Sequence, residues 1–364
     1  MNLAIDSRIR VGLFYGGRSA EHEITVRSMR NVYDALDTNR YAPVLIAISK
    51  QGVWHSSNKS ELFSHDVVPE TDESVVTLAP GQGGQLFYVA GSANEEPLSI
   101  DIAFPVLHGP QGEDGSIQGL YELAGIPYVG SGVLGSAVGM DKDVMKRLLH
   151  DAGLDITPHH TFTASDRPKI DATKLFNSLG ATLFVKPASM GSSVGVSRVT
   201  NETELHAAVA LAFRYDTKII VEAGVDGIEV ECAVLGNIAP QASVLGSITA
   251  ASGTFYSYDA KYASTTDAVT TIPAAVSETV AATATQIALA AYAALEAEGM
   301  ARVDMFVTAD QNIVVNEINT IPGFTSISMY PKLWEASGLN YSDLITRLLE
   351  LAVERFQQHA TTNA

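Results

Sequence analysis

The stretch from Ala301 to Asn319, "ARVDMFVTADQNIVVNEIN", narrows what this chain can fold into more than any other. Two runs of apolar, largely β-branched residues flank a polar break, the pattern of an antiparallel hairpin turning at Asp310–Gln311. With that turn, Asp304 faces Glu317 and Arg302 faces Asn319. Strand side chains alternate between faces, so these four share one face. The other face carries Val303, Met305, Val307, Val314 and Ile318 and belongs in a core. Directly opposed Cβ atoms lie ~5 Å apart, where two carboxylates repel by roughly 3 kcal/mol at an effective dielectric of about 20. Packing alone does not keep such a pair. A hard divalent cation does, and Asp, Glu and Asn supply oxygen ligands suited to Mg²⁺ shared with substrate phosphates. Asp304, Glu317 and Asn319 are therefore candidate metal ligands, set against the alternative of a solvated charged face.

The remaining chain supplies the frame for this hairpin. Its 364 residues exceed one ordinary core, so two or three domains are expected. In the first third, "IRVGLFYGG", "YAPVLIAIS", "IDIAFPVLHG" and "IPYVGSG" read as buried strands. Between the first two, "ITVRSMRNVYDALD" repeats its apolar residues at helical spacing. Strands alternating with helices predict a parallel, doubly wound sheet, with residues 56–98 as a peripheral excursion. A second unit follows: helix 141–152, strand "TLFVKPAS", helix 202–213 and strand "TKIIVEA". From about residue 223 the pattern is long β-alternation, then a polar loop at 251–271, an Ala-rich helix at 278–298, the hairpin and a closing amphipathic helix. The expected division is 1–130, 131–222 and 223–364.

Composition excludes several function classes. With 46% apolar and 18% charged residues the chain is of the soluble globular type. A formal net charge of −18 argues against nucleic acid as a partner, and any anionic substrate must be held by a few local cations. The single cysteine, Cys232, sits in the alternating "IEVECAVLG" and reads as an inert buried thiol. No signal peptide and no apolar run of the ~20 residues that cross a membrane is found, so a cytoplasmic location without membrane contact is expected.

The common nucleotide motifs are absent or incomplete. The P-loop pattern is absent. "GSGVLG" at 130–135 matches G-x-G-x-x-G, but a dinucleotide fold also needs an acidic residue closing the next strand, whereas Asp155 precedes its strand and Pro158 interrupts it. "VKPASMGSSVGVSRV" at 185–199 places Lys186 at a strand end beside a Gly/Ser loop, which is either an ordinary hairpin loop or a phosphate cradle built from backbone N–H groups. Glu222 closes the strand "IIVEA" and on its own is a strand end facing water.

Six segments in order, "GGRSAEHEIT", "LHGPQGEDGSIQG", "GMDKDVMKRLL", "VKPASMGSSVGVS", "YDAKYAS" and "ARVDMF…NEINTIPGFTSIS", resemble the D-alanine–D-alanine ligases of the ATP-grasp fold over nearly the whole length. One departure is Met190, where the family pattern has a polar or acidic residue. The resemblance implies a three-domain α/β protein with two α+β domains enclosing ATP, and a lid at 251–271. It implies ATP-dependent joining of two D-alanine molecules through an acyl phosphate, releasing ADP and phosphate, for peptidoglycan precursor synthesis by a cytoplasmic homodimer.

Roles follow by resemblance. Lys142 and Lys186 would hold ATP phosphates, Glu222 and Val225 the adenine, and Glu229 the ribose. Asp304, Glu317 and Asn319 would bind two Mg²⁺ (or Mn²⁺). Glu21 would take the ammonium of the first D-alanine, with His108 beside it. Lys261 and Ser328 would hold the second carboxylate, Tyr262 would join Ser192 and Glu21 to close the site, and Arg302 with the Gly323 N–H would stabilise the oxyanion. Same-fold alternatives make D-alanyl-D-lactate or D-alanyl-D-serine; an alternative of another class is an inactive nucleotide-binding homologue.

Overall fold

The computed structural model describes residues 7–71, 73–89, 97–250 and 268–362. Strand β1 (Ile9–Gly16) lies between β2 (Tyr41–Ile48) and β7 (Ile102–Pro105), parallel to both, and β3 (Trp54–Ser57) adds antiparallel to β2. The last six residues of β1 are buried, as a parallel strand covered on both faces requires. Helix α1 (His22–Ala35) covers one face with Val26, Met29 and Val32. The strand expected at "IPYVGSG" reduces to one bridge, Ala103 to Tyr128, because Pro127 has no N–H to extend the ladder. The excursion forms the short helix α2 (Lys59–Ser64) and a three-stranded sheet of β4 (Val76–Leu78), β5 (Gln85–Tyr88) and β6 (Leu98–Ser99). Strand order reverses beside β1, so the crevice at the carboxyl ends of β1 and β7 is where this sheet offers a ligand site.

After α3 (Ser116–Ala124) and α4 (Val133–Met140), which begins in the G-x-G-x-x-G lookalike, comes α5 (Lys142–Asp151). The second sheet is antiparallel, in the order β10 (Ser197–Val199), β9 (Leu183–Pro187), β11 (Lys218–Ala223), β8 (His159–Thr163), backed by α6 (Ala172–Leu179) and α7 (Glu202–Ala212). The third runs β14 (Ala268–Thr271), β13 (Gln241–Ala250), β12 (Gly227–Gly236), β15 (Gly299–Thr308), β16 (Ile313–Asn319), with α8 (Glu278–Ala294) packed on it. The end of the expected lid is thus a strand paired with β13, while residues 251–267, with Lys261 and Tyr262, lie outside the described residues. Cys232 is fully buried on β12, and burial pushes its thiol up to about 12.

The hairpin keeps the expected pairs Arg302–Asn319 and Asp304–Glu317, then shifts register, so that Met305 faces Val315. Asn316 is the extra residue of a β-bulge, and the inward set beyond it is Ile313 and Val315 rather than Val314, which is half-buried. Cores do not follow chain order. Met145 and Leu149 of α5 pack in the core of the third sheet. The closing helix α10 (Tyr341–Thr362), which follows α9 (Met329–Ala336), packs Leu344, Ile345 and Leu348 into the cluster that also holds Met29 and Val32 of α1.

Candidate active site

Glu21, just before α1, opens into the crevice of the first sheet and is 7% exposed. Two glycines make room for it: a Cβ on Gly109 or Gly191 would stand 2.9 or 3.0 Å from its Oε2. Gly109 has φ +76°, a conformation glycine adopts at little cost. Ser192, itself left-handed, donates a short hydrogen bond to Glu21 Oε1, which ties the 188–196 loop of the second sheet to the first. His108 Nδ1 donates to the Ile321 carbonyl (3.1 Å), and burial pushes its pKa down, so the ring is neutral and oriented. Glu113 accepts from the N–H groups of Gly109 (2.6 Å) and Ile321 (3.2 Å). Burial, then the nearby Glu21, pushes its carboxyl up to about 8.

The polar face of the hairpin forms the opposite wall. Arg302 forks onto Asp304, Nε to Oδ1 and Nη2 to Oδ2, both at 2.7 Å, and its Nε also lies 3.0 Å from Glu231 Oε2. Asn319 Nδ2 donates to Asp304 Oδ2 (3.0 Å). The repulsion expected between Asp304 and Glu317 is therefore largely offset: Arg302 neutralises one carboxylate, and Lys142 Nζ stands 3.6 Å from Oε2 of the other. Gly323 follows, where a Cβ would stand 2.6 Å from Ser328 Oγ, so the chain approaches Ser328 only with glycine there. Ser328 Oγ accepts from the Thr325 N–H (3.0 Å) at the start of α9.

These walls enclose a cavity of 140 Å³ lined by Glu21, His108, Ser192, Glu229, Arg302, Glu317, Asn319, Gly323 and Ser328, together with Glu113 and Glu231. Nine of the residues singled out from sequence thus meet in one place. Asp304 lies beneath the cavity, 3% exposed. Lys142 and Lys186 approach from the second sheet and α5. Lys142 Nζ donates to the Met190 carbonyl (2.7 Å), so the departure at Met190 leaves that contact intact, since it uses the main chain. Lys186 Nζ lies 2.6 Å from Glu222 Oε2 and 3.5 Å from Asn316 Oδ1.

Glu222 is not the water-facing strand end that its position alone allowed: it is 2% exposed, its carboxylate between Lys186 and Lys146 Nζ (3.0 Å), which leaves its main chain for the adenine contact implied by resemblance. Burial alone would raise its pKa, but the two ammonium groups outweigh that and hold it at about 2. Val225 is half-buried in the turn between β11 and β12.

Among the described residues no three or more His, Cys, Asp or Glu converge as a dedicated metal cage. Asp304, Glu317 and Asn319 offer two carboxylates and an amide oxygen. That set fits a hard cation completed by phosphate oxygens, as Mg²⁺ is commonly held. Four site residues escaped the sequence reading: Lys146, Glu113, Glu231 and Asn316. Lys146 is one helical turn beyond Lys142 and Glu231 two strand positions beyond Glu229, spacings that put each pair on one face. The bulge at Asn316 left no such trace.

Comparison with known proteins decides the family. A model described as the D-ala D-ala ligase N-terminus matches residues 10–131, and one for the C-terminus matches residues 148–350. The chain belongs to the D-Ala–D-Ala ligase family. It is 50% identical over 361 residues, 98% of each chain, to the D-alanine–D-alanine ligase A of Escherichia coli K12. It is 48% identical over 355 residues, 96% of each, to that of Shouchella clausii. The solved D-alanine-D-alanine ligase of Coxiella burnetii superposes with a TM-score of 0.83 at 39% identity, covering 98% of this chain and 97% of the other. The VanG D-Ala:D-Ser ligase of Enterococcus faecalis reaches the same TM-score of 0.83 at 34% identity, covering 95% and 99%. The fold is the ATP-grasp fold of this family.

Proposed function

We propose that the chain joins two D-alanine molecules to D-alanyl-D-alanine at the expense of ATP, releasing ADP and phosphate, as a supplier of peptidoglycan precursors. The observation that carries this reading is the single cavity in which an acid–hydroxyl pair, Glu21–Ser192, faces the carboxylates and Arg302 of the hairpin. Three domains, with bounds as expected from sequence, form part of the reading.

Glu21 holds the ammonium of the first D-alanine, and neutral His108 packs beside it without adding a competing positive charge. Lys142 and Lys186 bind the phosphates and supply the local cations that a chain of net charge −18 needs. Asp304, Glu317 and Asn319 would hold Mg²⁺ or Mn²⁺, whose charge, when bound, offsets that of the phosphates. The carboxylate of the first D-alanine takes the γ-phosphoryl group, giving an acyl phosphate. The amine of the second attacks that carbonyl, and Arg302 with the Gly323 N–H stabilises the oxyanion. Ser328 holds the second carboxylate. Lys261 and Tyr262 keep the roles implied by resemblance, as do Glu222, Val225 and Glu229 toward the adenosine, with the Glu222 carboxylate also paired to Lys186. A homodimer, with twice the 38.6 kDa of one chain, is the proposed assembly and is checked by light scattering.

The reading is tested by incubating the protein with ATP, Mg²⁺ and a panel of D- and L-amino acids, D-lactate and D-serine. D-alanyl-D-alanine with phosphate is the expected product. Pyrophosphate release, or a preference for D-lactate or D-serine as second substrate, contradicts it.

A further inference from the structure

Lys146 is 0% exposed, too deep to touch a substrate, yet it sits beside a group that does. Its Nζ lies 3.0 Å from Glu222 Oε1 and donates to the main-chain oxygen of Asn316 (3.3 Å). Lys186 occupies the other oxygen of the same carboxylate at 2.6 Å, and its side chain is 14% exposed. One buried carboxylate therefore carries two ammonium groups. A Lys186–Glu222 pair alone would be neutral, and its short contact would hold the Lys186 ammonium back from any other anion. With Lys146 present the triad carries a net positive charge. Two ammonium groups sharing one carboxylate also bind it less tightly each than one would alone. Of the other charges nearby, Glu317 and Lys142 stand 3.6 Å from each other and largely cancel, and Glu229 faces Lys186 from the third sheet with or without Lys146.

We propose that Lys146 is a positioning residue that offsets Glu222 and so leaves the Lys186 ammonium available to a phosphate group. Through Asn316 it also ties this triad to the bulge immediately before Glu317, coupling the cation side of the site to the hairpin. The inference rests on the nucleotide-binding reading above. It concerns how one lysine is kept reachable, which exposed lysines do not require.

The test measures ADP binding in the presence of Mg²⁺ by calorimetry, alongside steady-state kinetics. K146M should raise the Kd for ADP and the KM for ATP about tenfold or more, the scale of a lost charge-assisted contact, and change the KM for D-alanine by less than about twofold. K146R, which keeps the charge, should recover most of the affinity. In the E222Q background, where the anion it offsets is gone, K146M should change the Kd for ADP by less than about threefold relative to E222Q alone. This comparison also decides the matter should K146M alone fail to fold. Wild-type affinity in K146M, or a loss of about tenfold or more on adding K146M to E222Q, overturns the proposal. A wild type that binds no ADP overturns the nucleotide reading itself, a different result from a wild type that binds while its Lys146 variant is unchanged.

Discussion

Glu317→Gln keeps the shape of the hairpin and removes one carboxylate from its polar face. We expect kcat to fall by about a hundredfold or more, the cost of losing a charge aimed at a phosphoryl centre. Thermal unfolding in EDTA should move by no more than about 2 °C, because Arg302 already neutralises Asp304, and Lys142 stands 3.6 Å from Glu317 at the edge of the site. A variant that keeps most of its activity contradicts the hairpin assignment. Glu113 gives a pH prediction. Its carboxyl, pushed up to about 8 in the folded protein, holds a proton that the unfolded chain releases near the ordinary glutamate value of 4.5. Between those values the native state binds more protons than the unfolded one, so Glu113 makes stability decline as pH rises through that window. Glu113→Gln removes the decline, so the Tm of the variant should gain on wild type from about pH 5 to about pH 8. A pH-independent difference between the two would show that Glu113 is ionised in the native state. At this scale the sequence was readable where period-two spacing placed charges opposite one another, as at Asp304 and Glu317. The burial of Glu222 between two lysines is not legible there, because it depends on helix α5 reaching the second sheet, which local spacing does not encode.

Among the elements, the 188–196 loop shows how a Gly/Ser stretch becomes a fixed wall. Its anchors are Lys142 to the Met190 carbonyl, Asp216 to the Ser189 N–H at 2.7 Å, and Ser192 to Glu21. Ser192 and Ser193 both adopt left-handed backbone, and Gly195, at φ +72°, has Tyr215 and Pro187 2.7 and 2.8 Å from where a Cβ would be. Gly195→Ala should therefore shift the loop rather than be absorbed. We expect the KM for ATP to rise severalfold with a loss of about 1–3 kcal/mol in stability, read by kinetics and by denaturant unfolding. Wild-type kinetics in this variant would show that the loop's geometry is not used. Sequence alone left this segment undecided between hairpin loop and phosphate cradle, since its anchors lie on Glu21, Lys142 and Asp216, far along the chain. The bulge at Asn316 was hidden for a related reason. Alternating apolar residues continue on both sides of it, and only the packed sheet reveals that their phase changes.

Across the whole molecule, strand-and-helix order along the sequence pointed to the parallel strands of the first sheet and to the one antiparallel hairpin of the third. It did not show that α5 packs with the third sheet, or that α10 closes the core beside α1, because an amphipathic helix states which face is apolar and not which partner will cover it. Those two placements bring residues from every part of the chain to one cavity. No helix among the described residues is long and apolar enough to cross a membrane. The central claim is that this cavity moves a phosphoryl group onto the carboxylate of the first D-alanine before the peptide bond forms. In such a sequence one carboxylate oxygen leaves with the phosphate when the amine of the second D-alanine attacks. The direct measurement is turnover of D-alanine labelled with ¹⁸O in its carboxylate, with mass analysis of the phosphate released. The account predicts one ¹⁸O in phosphate for each D-alanyl-D-alanine formed; dipeptide formed with unlabelled phosphate contradicts it.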